Sequence, residues 1–208
     1  VYDSLGLVGA RANRLLNYDE THIRGQLELR GVNLIVLGFG GNEASDERTE
    51  EAFYQDYVRV LDRMRQGRED LSCLVFAPLD QARRHQGRIH TLPMIPRIVA
   101  AQRRAAFDSG CAFYDTWQAM GGEDAMRHWY DAQPRLAMGD FRHATPAGYE
   151  IIGNMFYKAI LAGFADYLST ESSAAPASGA PIEEDAGAEP PDSGIPSSNA
   201  ESNTSPKR

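Results

Sequence analysis

"NLIVLGFGGNE" (residues 33–43) joins a continuous apolar run to a glycine-rich turn that ends in an amide and a carboxyl side chain. An apolar run of this length that stops at glycines is typical of a strand buried on both faces of a parallel sheet. We therefore predict a strand over 33–39, with Asn42 just beyond its carboxyl end. The Asn42 side chain could donate two hydrogen bonds to a ligand, or it could cap the helix that follows.

The same alternation of apolar strands and amphipathic helices continues along the chain. It predicts helices over 49–67, 95–108 and 146–168, and strands over 71–78 and 111–116. Such an order is typical of an α/β fold of three layers, in which helices cover both faces of a parallel sheet. The last helix is expected to bury a stripe formed by Ile151, Ile152, Met155, Phe156, Ala159, Ile160 and Phe164.

Composition limits the classes of partner. The chain has 208 residues, of which 42% are hydrophobic and 24% charged, as is usual for one soluble globular domain. No apolar run approaches the roughly 18 residues of a membrane span. A formal net charge of -8 gives no reason to expect a nucleic acid or an anionic membrane as partner.

Residues 171–208 consist mainly of Ser, Ala, Pro, Gly and acidic residues, with no aromatic side chain. A segment of this kind buries too little apolar surface to offset the entropy lost on ordering, so we predict that it is disordered. The functional domain is therefore expected within residues 1–170.

Cys73 and Cys111 each lie in a predicted buried strand, and we interpret them as small core residues. A disulfide would require their Cα atoms to lie within about 7 Å, which the sequence leaves open.

Besides the turn that carries Asn42, two short stretches carry candidate functional groups. Asp140 and His143 stand three residues apart, immediately before Thr145 and Pro146, which mark a helix start. Histidine can remove a proton from a hydroxyl nucleophile, and a carboxylate can orient the histidine ring. Alternatively, the two residues could simply belong to an exposed loop. Backbone N–H groups near Gly9, ahead of a helical stretch, could face an anion.

Together these stretches resemble the SGNH hydrolase (GDSL esterase/lipase) family. "GGNE" (40–43) is similar to the family's Gly-x-Asn-Asp block, and "DFRH" (140–143) is similar to its Asp-x-x-His block. The resemblance implies that Asn42 and Gly9 form the oxyanion hole, that His143 is the base and that Asp140 orients it. It implies serine chemistry without a metal or cofactor. Glu43 stands where the family has Asp, a change expected only to adjust a turn.

The family's nucleophilic serine has no convincing match. Ser4, in "YDSLG" (2–6), is not expected to fill that role, because only three residues precede it and a nucleophile elbow needs a strand in front of it. We expect that the chain begins after the true serine and lacks the first strand, and that it has little esterase activity alone.

The branch that the chain resembles includes periplasmic polysaccharide and peptidoglycan O-acetylesterases. This implies removal of small acyl groups, such as acetyl, from a carbohydrate or cell-wall polymer, by a periplasmic or secreted protein. Two alternatives stay open: an inactive carbohydrate-binding or envelope-assembly module, and a lipase or thioesterase for longer acyl chains. Met120, Gly121 and Trp129 are candidates for the substrate pocket, although Trp129 could simply be packed. The stretch "QARRHQGRIHTLP" (81–93) is interpreted as a loop with a solvated basic surface near the site.

Overall fold

A computed structural model describes residues 2–66, 68 and 70–174 of the chain. The strands are β1 (Leu34–Gly38), β2 (Ser72–Phe76), β3 (Ala82–His85), β4 (Arg88–Thr91) and β5 (Ala112–Tyr114). The helices are α1 (Glu20–Leu29), α2 (Glu50–Arg65), α3 (Met94–Asp108), α4 (Thr116–Met120), α5 (Ala125–Asp131) and α6 (Pro146–Ala174). Two short 3₁₀ helices span Ala12–Asn17 and Asn42–Ser45.

Strands β1, β2 and β5 form one parallel sheet in that order, and helices lie on both of its faces. The face covered by α2 and α3 holds the main core, which includes Ile35, Leu37, Tyr57, Leu61, Val75 and Ala105. On the other face, the ring of Phe156 in α6 lies 5.1 Å from that of Phe76 and 5.0 Å from that of Tyr114. The predicted three-layer α/β fold is thereby confirmed.

Helix α2 illustrates how local sequence sets an element. The Thr49 hydroxyl accepts a hydrogen bond from the backbone N–H of Ala52 and caps the helix. Acidic residues occupy the first turn and basic residues the last, as the helix dipole favours.

Burial alternates along β1, contrary to the expectation of a strand buried on both faces. Ile35 and Leu37 are buried, whereas Leu34 and Val36 are 52% and 48% exposed. That expectation is wrong because β1 is an edge strand of the described sheet and the helices cover only one of its faces.

The predicted buried stripe of α6 is also largely wrong. Ile152 is buried and Met155 and Phe156 are partly buried, but the rest of the stripe is exposed: Ile151, Ala159, Ile160 and Phe164. The physical reason is that α6 packs through its first turns, where Phe156 meets the sheet, and its later turns extend past the core.

Residues 82–91, interpreted as a loop from the sequence, form the antiparallel β3–β4 hairpin. Its turn is Gln86-Gly87, and both residues have positive φ, 49° and 80°. This is the conformation of a two-residue turn whose twist matches that of the flanking strands. Gly87 was the sequence signal for this turn. The charged residues around it led instead to the interpretation of a solvated loop.

Cys73 and Cys111 are buried core residues as expected, and they are joined in a disulfide, a pairing that the sequence left open. Leu74 pairs with Ala112 in neighbouring strands, so the two cysteines directly precede paired positions. Their Cα atoms are therefore only 4.9 Å apart, within disulfide reach.

The predicted disordered tail lies mostly outside the described residues, which end at 174. Helix α6 continues to Ala174, six residues beyond its predicted end at 168. Within the part of the chain that the structure describes, no helix is both long enough and apolar enough to cross a membrane.

We expect the disulfide to stabilise the fold substantially. It links residues 38 apart, and closing a loop of that length removes entropy from the unfolded chain. Cys73→Ala/Cys111→Ala should lower the free energy of unfolding by about 2–4 kcal/mol, measured by urea denaturation. Dithiothreitol should destabilise the wild type similarly and leave the double variant unchanged; equal stability of variant and oxidised wild type would contradict this.

Candidate active site

Asp140 and His143 lie in a short loop that backbone hydrogen bonds close. Ala137 and Ala144 form an antiparallel bridge, and the N–H of Met138 donates to the carbonyl of His143 at 2.8 Å. The side chains of Asp140 and His143 therefore project from a short loop whose two ends are hydrogen-bonded to each other.

Helix α6 begins directly after this loop, as the sequence predicted. The Thr145 hydroxyl accepts from the Gly148 N–H at 3.2 Å, and Pro146 is the first helical residue. A Cβ at Gly148 would clash with the carbonyl oxygen of Leu136, so only glycine permits this approach. The close packing fixes the carboxyl end of the loop.

Phe141 makes the turn between the two functional residues. Its φ of 57° is in the left-handed region, which is unfavourable for a phenylalanine. Three contacts hold it there: its carbonyl accepts from the Ala82 N–H at 2.8 Å, its ring meets Tyr130 at 4.9 Å, and the Arg84 guanidinium lies 5.7 Å from the ring centroid. The loop shape is thus determined by its surroundings.

Asp140 and His143 form a direct pair, with Nδ1 of the ring 2.6 Å from one carboxyl oxygen. The other carboxyl oxygen accepts from the backbone N–H groups of Arg142 and His143, at 3.0 and 3.1 Å. Partial burial opposes ionisation, but these hydrogen bonds outweigh it and hold the pKa of Asp140 below its ordinary value. An ionised carboxylate can only accept, so Nδ1 carries the proton and Nε2 of the neutral ring has a free lone pair.

A hydrogen bond joins the Asn42 side chain to the segment that follows Gly9. The Asn42 amide donates to the carbonyl of Ala10 at 2.8 Å, which leaves its second N–H available. Gly9 has a φ of 72°, a conformation that favours glycine. Among the described residues, no hydrogen bond engages the Gly9 N–H. The Gly9 N–H and the second Asn42 N–H therefore both lack an acceptor among the described residues.

Glu43 does more than adjust a turn. Its carboxylate accepts from the backbone N–H of Ala12 at 2.8 Å and of Gly40 at 3.1 Å, and it is only 3% exposed. Burial raises the pKa of Glu43, although the two hydrogen bonds partly oppose the rise. The side chain fastens the segment after Gly9 to the turn that carries Asn42, which corrects the expectation from sequence.

Gln81 and Ala82 connect the two halves of the site. The Gln81 amide donates to the carbonyl of Gly41 at 2.9 Å, beside Asn42. The N–H of Ala82 donates to Phe141 in the Asp140–His143 loop. Neither residue had a signal in the sequence, because their role depends on where the chain brings them.

A family model of GDSL-like lipases and acylhydrolases matches residues 1–151. The chain belongs to this family. The resemblance inferred from "GGNE" and "DFRH" is thereby confirmed.

Two solved structures have a similar fold. A peptidoglycan O-acetylesterase superposes with a TM-score of 0.64 and 20% sequence identity. The match covers 73% of this chain and 43% of that protein. An alpha/beta hydrolase from the metagenome of Lake Arreo, Spain, gives a TM-score of 0.50 and 18% identity, covering 73% of this chain and 68% of that one. At these identities the likeness concerns the fold. No curated protein matches the chain.

The family's nucleophile is not evident among the described residues. Ser4 is exposed in a segment without regular secondary structure, and no hydrogen bond joins it to another described residue. No hydroxyl within the described ranges hydrogen-bonds to the His143 ring. That Ser4 is not the nucleophile therefore stays a prediction.

The pocket candidates are mostly buried. Met120 and Trp129 are 6% and 8% exposed, and the indole N–H of Trp129 donates to the Met120 carbonyl at 3.1 Å. They share a core cluster with Ala144, so they support the loop from within. Gly121 is exposed at the end of α4, and a role for it in the pocket stays a prediction. Over the described ranges, no group of three His, Cys, Asp or Glu side chains could hold a metal ion.

Replacement of Glu43 tests whether its carboxylate anchors the Ala12 segment to the turn at Gly40. Glu43→Ala leaves the buried N–H groups of Ala12 and Gly40 without their acceptor, so the free energy of unfolding should fall by about 1–3 kcal/mol in urea denaturation. Glu47→Ala, at an exposed neighbouring carboxyl, is the matched control and should change it by less than about 0.5 kcal/mol. Equal stability of the two variants would contradict the anchoring role.

Proposed function

We propose that the protein is a serine ester hydrolase in which His143 is the general base. The observation that carries the proposal is the Asp140–His143 pair, joined at 2.6 Å with Nε2 unengaged by the described residues. Membership of a lipase and acylhydrolase family supports ester hydrolysis as the class of reaction.

The reaction would proceed through an acyl-enzyme. Nε2 of His143 takes the proton of the serine hydroxyl as the serine oxygen attacks the ester carbonyl. Asp140 keeps the Nδ1 proton in place and stabilises the imidazolium. The negative oxygen that develops is stabilised by N–H groups of Gly9 and Asn42. His143 returns the proton to the leaving alcohol, and a water molecule then releases the acid by the same steps.

The substrate is proposed to be a small acyl ester, such as acetyl, on a carbohydrate or cell-wall polymer. The fold likeness to a peptidoglycan O-acetylesterase favours this class. The Cys73–Cys111 disulfide supports a periplasmic or secreted location, because disulfides persist in oxidising compartments.

His143→Ala tests the base. In the protein expressed from the whole gene, with any residues that precede Val1, it should lower kcat/KM for p-nitrophenyl acetate by at least about 10³, because the variant loses the proposed base. Circular dichroism should match the wild type, since the side chain is exposed. Activity within about tenfold of wild type would refute the assignment.

The same assay separates the alternatives. A fluorophosphonate probe labels an activated serine covalently, and mass spectrometry then identifies it. Labelling and acetyl-ester turnover support the proposal, labelling with a preference for long-chain p-nitrophenyl esters supports a lipase or thioesterase, and no labelling supports a binding module.

Asn42→Ala tests the oxyanion hole. Loss of one donor that acts mainly in the transition state should lower kcat by about 10²–10³ and change KM little. Steady-state kinetics with p-nitrophenyl acetate measure both constants. A change confined to KM would mean that Asn42 binds the substrate and the transition state equally.

A further inference from the structure

Asp80 is the most deeply buried carboxyl residue of the described chain, at 0% exposed. Asp56, another buried carboxyl residue, forms ion pairs with Arg48 and Arg59. Among the described residues, no arginine, lysine or histidine forms an ion pair with Asp80. A carboxyl group buried without a cation is costly to keep, so its position needs an explanation.

Two hydrogen bonds hold the carboxyl group of Asp80. Its Oδ2 accepts from the Thr91 hydroxyl at 3.1 Å and from the backbone N–H of Met126, in the first turn of α5, at 2.8 Å. The Thr91 hydroxyl in turn accepts from the Asp124 N–H at 2.7 Å. Burial raises the pKa of Asp80, and the hydrogen bonds from Met126 and Thr91 oppose the rise. Asp80 therefore joins the end of β4 to the start of α5.

The backbone next to Asp80 is bound to the same strand end. The Gln81 carbonyl accepts from the N–H of Leu92, which directly follows Thr91, at 2.7 Å. Gln81 is itself buried, at 8% exposed. One side-chain contact from Asp80 and one backbone contact from Gln81 thus fix this turn of the chain to the end of β4.

Asp80 directly precedes the two residues that connect the halves of the candidate site. Gln81 holds the turn that carries Asn42, and Ala82 holds the loop that carries His143. Both contacts are made within two residues of Asp80, so a displacement of Asp80 would disturb both. The hydrogen bonds of the Asp80 side chain within the described chain go to neither Asn42 nor His143. Its effect on the site is therefore indirect.

We infer that Asp80 is a positioning residue, which sets the relation between the proposed oxyanion donor and the proposed base through Gln81 and Ala82. The inference rests on the proposed function, since it takes ester hydrolysis at His143 as the reaction. Asp80 acts by accepting two hydrogen bonds, and it neither transfers a proton nor binds the substrate.

Kinetics of the protein expressed from the whole gene test this role. Asp80→Ala removes the acceptor, and a small displacement of the proposed catalytic groups should lower kcat for p-nitrophenyl acetate by about 10², with KM changed by less than about twofold. Asp80→Asn is the conservative variant. Both hydrogen bonds go to Oδ2, so the asparagine oxygen can accept them, and kcat should stay within about fivefold of wild type.

Leu71→Ala is the matched control for lost stability. Leu71 is 1% exposed and precedes β2, at the end of the sheet opposite to the candidate site. Its truncation destabilises the core, but kcat should stay within about twofold of wild type at a temperature where circular dichroism shows both variants folded. If Asp80→Ala does not fold, Thr91→Val takes its place. It removes one of the two donors to Asp80 and should lower kcat about tenfold.

Hydrogen exchange on the 208-residue chain tests the anchor without turnover. The Ala82 N–H donates to the Phe141 carbonyl, and its exchange, followed by NMR, should be at least about tenfold faster in Asp80→Ala than in Leu71→Ala. In Asp80→Asn the rate should stay within about threefold of wild type, because the acceptor is kept. Equal rates in Asp80→Ala and Leu71→Ala would overturn the inference.

Several kinetic results would also overturn it. A loss of kcat in Asp80→Asn as large as in Asp80→Ala would mean that the charge of the carboxylate acts directly. Unchanged kcat in Asp80→Ala, a change confined to KM, or an equal loss in Leu71→Ala would exclude positioning. If the wild-type protein hydrolyses no ester, the proposed function is refuted, and the exchange rates alone then decide whether Asp80 holds the Ala82 contact.

Discussion

The geometry of the candidate site depends on two hydrogen bonds made by consecutive residues after β2. Gln81 holds the turn that carries Asn42, and Ala82 holds Phe141 in the loop of Asp140 and His143. The proposed oxyanion donors and the proposed base come from segments about 100 residues apart, so no local interaction could set their relation. The dipeptide is also the root of the β3–β4 hairpin. One short segment thereby holds the turn of Asn42 and the loop of Asp140 and His143 in a common frame.

The features that the sequence predicted correctly are those set by contacts within a short segment or by the periodicity of apolar residues. Asp140 and His143 contact each other within one loop, so their spacing of three residues allowed a pair, and the resemblance of "DFRH" to the family's block favoured it. Thr145 and Pro146 mark the start of α6 by chemistry that operates within one turn. The buried strands and the helices between them follow from apolar periodicity, which is why the α/β fold could be predicted before any contact was known.

What it could not predict depends on which segments become neighbours. The disulfide requires β2 and β5 to be adjacent, and Glu43 is buried only because the Ala12 segment folds over it. The hairpin was missed because its outward charges hide the alternation of Ala82 and Ile89. The exposed half of β1 and the later turns of α6 were predicted as buried, since periodicity identifies an apolar face but not what covers it.

The side chains of the β3–β4 hairpin face two different environments, the core on one side and solvent on the other. Substitutions at inward positions such as Ile89 change the core, whereas outward positions such as Arg83 and Arg88 are exposed. Because alternate residues of a strand face opposite sides, the outward set can vary in charge while the fold is conserved. Charge on this side of the hairpin can therefore change the surface of the domain without any change in its core.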